Sequence, residues 1–236
     1  MEDTYSISIL TPTIRPELLG VVAKSIAKQT IKPKEWLIGT REQMFESINK
    51  EIGNITNYKL IAEPPRREGD FYSLNGAWNK LYALSSGNLI INIQDGLFFS
   101  PDLLERFWGH YTITPNALVT AIGDQYDQVD ERGKPINLVW SDPSDRSKFT
   151  EVPSSEMEMA VCSIPRRALL DSGGLDVEWD KYAALSEKEL CCRLVKLGYK
   201  FFLDPSIEYR AIHHDRLNGG EAWDKAYWAG AEYFQK

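Results

Sequence analysis

The strongest constraint on the fold is an alternation that runs through the first half of the chain. Short apolar runs at residues 6–11, 35–39, 58–62 and 89–93 are separated by segments 16–29, 41–52 and 73–86, which read as helices. In the first helical segment the apolar stripe is Leu18, Leu19, Val22 and Ile26, and Pro16 suits a first turn because its missing N–H has no partner to lose there. Strands alternating with helices build βαβ units, so the expected fold is α/β: a mainly parallel twisted sheet with helices on both faces. In such sheets ligands sit beyond the carboxyl ends of the strands. The loops after Thr11, Ile38 and Ile93 are therefore the places to look for a site.

The second half is less regular. A strand is expected over residues 117–123, and segments 126–129 and 136–140 read as a hairpin around Asp130-Glu131-Arg132-Gly133. Residues 141–155 are polar, contain two prolines and read as a mobile loop. A short helix over 165–171 stops at Gly173-Gly174. An amphipathic helix over 186–197 carries Leu190, Leu194 and Leu197 on one face and stops at Gly198. Strands follow at 200–203 and 207–212. Trp223, Tyr227, Trp228 and Phe234 then recur at helical spacing, so residues 216–236 are expected to dock as a helical tail on a body formed by residues 1–215.

The 236 residues suit one sizeable domain. At 43% hydrophobic and 26% charged the chain has the balance of a globular protein, which excludes disorder and coiled coil. Lys and Arg number 27 against 34 Asp and Glu, a net charge of −7. That surface is unsuited to loose wrapping of nucleic acid or anionic membrane, although a local basic groove stays open. Cys162, Cys191 and Cys192 cannot all pair internally, and two adjacent helical cysteines fit buried thiols and a reducing compartment. No apolar run approaches the roughly 18 residues that span a bilayer, and Met-Glu-Asp-Thr-Tyr lacks the features of a signal peptide. A cytoplasmic protein without a membrane span is expected.

No Gly-rich phosphate loop, zinc-spaced Cys/His cluster or nucleophile elbow is present. What remains are polar residues at strand ends. Asp95, in Gln94-Asp95-Gly96 after an apolar strand, reads either as a carboxylate holding a divalent cation against a diphosphate or as an ordinary turn aspartate. Glu187 and Glu189 open the helix at 186–197, where acidic residues also complement the helix dipole. His213-His214-Asp215 ends a strand, a place for a metal ligand or for hydrogen-bonded structure. Seven tryptophans suit either a rich core or stacking on flat rings and sugars.

In order and spacing these features resemble a family-2 glycosyltransferase with the Rossmann-like glycosyltransferase-A fold. Residues 8–19, from Ser8-Ile9-Leu10-Thr11-Pro12-Thr13 through Arg15-Pro16, are similar to the family's opening strand and Pro-Thr-x-x-Arg-Pro turn. Ser25 to Thr30 resembles its first helix end. Asn79 falls where the family has an Asn before its Ala-x-Gly, and Gln94-Asp95-Gly96 stands in place of its Asp-x-Asp metal motif. Gly173-Gly174-Leu175-Asp176 resembles Gly-Gly-Phe-Asp, and the segment from Ser186-Glu187 to Arg193-Leu194 resembles Glu-Asp-x-Asp-Leu-x-x-Arg-Leu. The likeness covers about residues 6 to 215 and departs where Thr40-Arg41 replaces the family's base-binding Asp.

The resemblance implies transfer of a sugar from a nucleoside-diphosphate sugar to an acceptor hydroxyl with inversion. Glu187 would be the base and Glu189 its fallback, while Thr11, Thr13, Arg15, Thr40, Arg41, Asn79 and Asp95 would hold the donor. Asp95 with His213 or His214 would bind Mg²⁺ or Mn²⁺, and Trp140 or Trp179 would stack on a saccharide or other hydroxyl acceptor. A nucleic-acid base is an acceptor left open but not favoured by the charge. The rival readings are a nucleotidylyltransferase, which the Pro-rich turn after the first strand counts against, and a non-catalytic nucleotide-sugar-binding module.

Overall fold

Side chains along β1 (Ile7–Pro12) alternate between two apolar cores, with Ile7 and Ile9 on one face and Leu10 on the other. β2 (Glu35–Thr40) repeats the pattern, Trp36 and Ile38 opposing Leu37. A strand apolar on both faces must be covered twice, and the intervening helices do so. The first core is closed by Leu19, Val22 and Ile26 of α1 (Leu19–Ala27) and by Ile48 and Ile52 of α2 (Phe45–Ile52). β3 (Lys59–Ala62) leads into α3 (Leu74–Leu84), which brings Trp78, Leu81 and Tyr82 to the opposite core. β4 (Leu89–Ile93) alternates like β1, with Ile90 opposing Leu89, Ile91 and Ile93.

The computed structural model describes residues 5–130, 134–182, 185–212 and 221–234. Beyond β4 come β5 (Leu97–Phe99), α4 (Leu103–Ile113), β6 (Ala117–Val129), β7 (Pro135–Ser141) and β8 (Thr150–Glu151). The chain continues through β9 (Val161–Pro165), α5 (Arg166–Ser172), α6 (Ser186–Lys196), β10 (Lys200–Ile212) and α7 (Glu221–Phe234). One sheet runs in the order β3-β2-β1-β4-β9-β6-β10-β5, with β7 beside β6 and β8 beside β10. The first four strands are all parallel, in line with the alternation in the sequence. Past them the sheet is mixed. β9 inserts antiparallel between β4 and β6, and the parallel β6–β10 pair carries the antiparallel β5, β7 and β8.

Several segments differ from the expectations above for identifiable reasons. The two C-terminal strands are one, β10, with an irregularity between Asp204 and Glu208 where Pro205 removes a ladder donor. Part of the polar 141–155 segment is anchored. Phe149 stacks between His110 and Phe202 at centroid distances of 4.6 and 5.0 Å, and Thr150–Glu151 pairs with β10. The helix α4, absent from the sequence reading, buries Leu103, Leu104 and Phe107.

The turn from α3 into β4 shows how tightly the sheet is packed. A Cβ on Gly87 would lie 2.5 Å from the backbone nitrogen of Ser8, and the Gly87 N–H donates to the Ser8 hydroxyl at 2.8 Å. Backbone cannot retreat as a flexible side chain can. Gly87→Ala is therefore expected to destabilise the fold by about 1–3 kcal/mol, the usual range for overpacking. Chemical denaturation gives the check, and an unchanged midpoint would show that β1 and the turn separate freely.

Candidate functional site

The residues that follow the four parallel strands meet in one place. Thr13 lies just beyond β1, Arg41 begins the segment after β2, Glu63 follows β3 and Gln94 follows β4, and all four line a single cavity of about 350 Å³. The chain steps outward from β1 to β2 and β3, then returns to the other side of β1 for β4. The cavity therefore sits at the point where strand order reverses, the place where open α/β sheets bind ligands. Its remaining wall includes Arg15, Arg66, Asp95, Phe71, Tyr72 and Trp78.

Asp95 is the centre of the polar floor. Its side chain is only 4% exposed and forms an ion pair with Arg15. Arg15 Nη2 donates to Asp95 Oδ1, Arg15 Nε donates to Oδ2 at 3.2 Å, and the Thr13 hydroxyl donates to the same oxygen. Thr13 also accepts from the Arg15 backbone N–H at 2.9 Å, which turns the chain so that both residues reach the carboxylate. The second carboxylate of the wall, Glu63, accepts from Arg41 Nε at 3.1 Å. Arg66 donates through Nε to the Asp70 carbonyl at 2.7 Å, a neutral partner.

The donor set does not suit the divalent metal expected at Asp95. Both carboxylate oxygens are engaged by the guanidinium and hydroxyl groups just described, and among the described residues no cluster of three His, Cys, Asp or Glu side chains is arranged to hold a metal. His213 and His214 lie outside the described residues.

The other candidate donor residues separate cleanly. Thr13, Arg15, Arg41 and Asp95 line the cavity; Thr11, Thr40 and Asn79 do not. Thr11 is fully buried and its hydroxyl accepts from Trp36 Nε1 at 3.0 Å. Thr40 is equally buried, with its hydroxyl 3.5 Å from the Met44 sulfur. Asn79 pairs its amide with the backbone of Leu175, donating to the carbonyl at 2.6 Å and accepting from the N–H at 2.8 Å. Gly174 sits so close to it, at φ +78°, that a Cβ would stand 2.5 Å from Asn79 Oδ1. Asn79 thus fastens α3, one wall of the cavity, to the turn between α5 and the segment leading to α6.

Of the wall residues that escaped the sequence reading, Glu63, Arg66, Phe71 and Tyr72 come from the loop after β3 and Trp78 from α3. The strand-end rule applies to that loop as much as to the others, and its Arg66-Arg67 pair and two adjacent aromatics were the available signal. Asp180 holds this wall from a distance. It is 3% exposed, accepts from the N–H groups of Asn75 and Gly76 at 2.8 and 3.1 Å, and so caps α3 from across the fold. Its backbone carbonyl accepts from Phe71 and Tyr72 at 2.6 and 2.8 Å. Burial pushes its carboxyl above the ordinary range, although the two backbone donors oppose the shift.

The two glutamates of α6 differ in what they touch. Glu189 is committed to Arg193, at 2.6 and 2.7 Å, and Arg193 in turn donates to the carbonyls of Ser172 and Gly174. Glu187 is half-buried, and the Ser186 hydroxyl lies 3.5 Å from its carboxylate. It stands close enough to Tyr82 and Glu158 to affect their ionisation. Tyr82 stacks on Trp78 at 5.6 Å, so one ring pair leads from Glu187 to the cavity wall. Desolvation pushes the Glu158 carboxyl upward, and the charges of Glu187 and Asp142 add to the shift.

Of the two candidate acceptor tryptophans, Trp140 is 44% exposed on β7 beside the exposed Leu138 and Val139. Trp179 is 2% exposed, with its ring against Tyr182 and against Tyr233 and Phe234 of α7. It is a packing residue. No helix among the described residues is long and apolar enough to cross a membrane.

No protein-family model matches the sequence, and no curated protein matches it. Solved structures do resemble it. GalNAc-T7 in complex with UDP, GalNAc and Mn²⁺ superposes with a TM-score of 0.71 over 98% of this chain and 48% of its own, at 14% identity. S. aureus TarS 1–349 in complex with UDP superposes with a TM-score of 0.62 over 87% of this chain and 60% of its own, at 13% identity. The chain thus spans about half to three-fifths of these structures. At such identities the likeness shows the fold, which is a glycosyltransferase-A-like α/β fold.

Proposed function

We propose that the protein transfers a sugar from a nucleoside-diphosphate sugar to an acceptor hydroxyl with inversion at the anomeric carbon. The observation that carries this reading is the cavity at the strand-order reversal, which three arginines and three aromatic residues line together. Guanidinium forks match phosphate oxygens, and flat rings match a base or the apolar face of a sugar. The likeness of the fold to two structures that contain UDP supports the same assignment.

In this reading Arg15, Arg41 and Arg66 hold the diphosphate, and Phe71, Tyr72 or Trp78 stacks on the base. The acceptor enters from the side of Glu187. Its hydroxyl oxygen forms the new bond to the anomeric carbon as the bond to the phosphate oxygen breaks, and the electron pair leaves with the diphosphate. The hydroxyl proton passes to Glu187, the glutamate of α6 that no arginine among the described residues holds. General-base assistance of this kind supplies about 10²–10⁴-fold.

Thermal unfolding in the presence of a panel of nucleoside diphosphates tests the donor site. A matching nucleotide at about 100 times its Kd adds roughly 2.7 kcal/mol, which for a domain of this size raises the melting temperature by about 5–11 °C. Free sugars are expected to give no shift. Absence of any shift or calorimetric heat across the panel would remove the donor-site assignment. Release of nucleoside diphosphate that depends on an acceptor separates the enzyme from a binding module.

A further inference from the structure

We infer that this protein neutralises the donor diphosphate with its own guanidinium groups and needs no divalent cation to hold it; the inference rests on the nucleotide-sugar reading above. Among the described residues the cavity is lined by two carboxylates, and each is already matched by an arginine of the same wall: Asp95 by Arg15 and Glu63 by Arg41. A third arginine, Arg66, lines the cavity with only a neutral carbonyl on its Nε. Among the described residues, three positive groups against two negative ones give the cavity wall a net positive charge before any ligand enters.

A divalent cation at Asp95 would have to share that carboxylate with Arg15 and sit among like charges. Taking the carboxylate away from Arg15 would strand a largely buried guanidinium, a costly exchange. A diphosphate meets the opposite situation, since each oxygen brought to the wall finds donors that carry positive charge. Arg15 itself lines the cavity, and among the described residues its buried Nη1 has no hydrogen-bond partner, so the side chain keeps an unused donor. The Arg15–Asp95 pair therefore does two things. It occupies the carboxylate that would otherwise recruit a metal, and it fixes a guanidinium where the leaving group needs charge.

Calorimetric titration decides the matter. Uridine, guanosine, adenosine and cytidine diphosphates are titrated into chelator-treated protein and into protein with millimolar Mn²⁺ or Mg²⁺. The expected result is binding of at least one nucleotide in chelator, with an affinity within about threefold of that in cation and a steep loss with added salt. Arg66→Gln, which leaves no carboxylate unpaired, should weaken that binding by about tenfold or more. Arg41→Gln should do the same, provided its melting curve confirms a folded protein. Binding that appears only with the cation overturns this inference and leaves the nucleotide-sugar reading standing. Arginine variants that bind like the parent also overturn it. Failure of every nucleotide in both conditions overturns the donor-site reading itself, and this inference with it.

Discussion

Glu187→Gln is expected to keep donor binding and to lose transfer by about 10²-fold or more, because glutamine preserves size and hydrogen bonding but cannot accept the proton. Glu187 is not among the residues that line the cavity, so removal of its charge leaves the arginines of the wall unchanged. Glu189→Gln should behave differently. It breaks a two-point contact with Arg193, and Arg193 holds the Ser172 and Gly174 carbonyls, so its effect falls on stability. For a partly exposed pair within one helix that effect is about 1 kcal/mol or less. The measurement is single-turnover transfer beside nucleotide titration for both variants. Near-normal transfer by Glu187→Gln would remove Glu187 as the base, and a collapse confined to Glu189→Gln would move the role there.

Asp95→Asn is expected to lower stability by about 3 kcal/mol, since it leaves the Arg15 guanidinium without its counter-charge in a poorly solvated place. The low end of the range for a broken buried pair applies because the Arg15 side chain keeps 19% of its exposure. For a domain of this size the melting temperature should fall by about 6–12 °C. Arg15→Met combined with Asp95→Asn should recover part of the loss, because the double variant buries no unpaired charge, and the cycle measures the coupling. A melting temperature unchanged in Asp95→Asn would make Asp95 a simple turn residue and leave the cavity floor without its organising pair.

Much of the cavity was legible from local pattern. Period-two alternation in β1, β2 and β4 predicts two cores, and the strand ends point to Thr13, Arg41 and Asp95 at one rim. The same alternation also accounts for the inward placement of Thr11 and Thr40. Thr11 shares a face with Ile7 and Ile9, and Thr40 shares one with Trp36 and Ile38, so the pleat turns both into the first core. The stripe of α4 was readable too, since Leu103, Leu104 and Phe107 recur at helical spacing.

The βαβ order, the faces of the strands and the rim that the cavity occupies follow from local pattern, because each rests on a repeat of two or 3.6 residues along the chain. Which charges meet is a matter of packing between distant segments. Arg15 and Asp95 are 80 residues apart, and Asp180 caps α3 from 105 residues beyond Asn75. Whether Asp95 holds a metal or an arginine depends on which group stands opposite it. No local period carries that information, because a side chain's partner is set by the packing of separate elements, whereas its direction is set by the backbone it hangs from. The insertion of β9 between β4 and β6 belongs to the same class, being a pairing of distant strands whose own five residues are all buried, Ser163 included, and so carry no alternation that sets a partner.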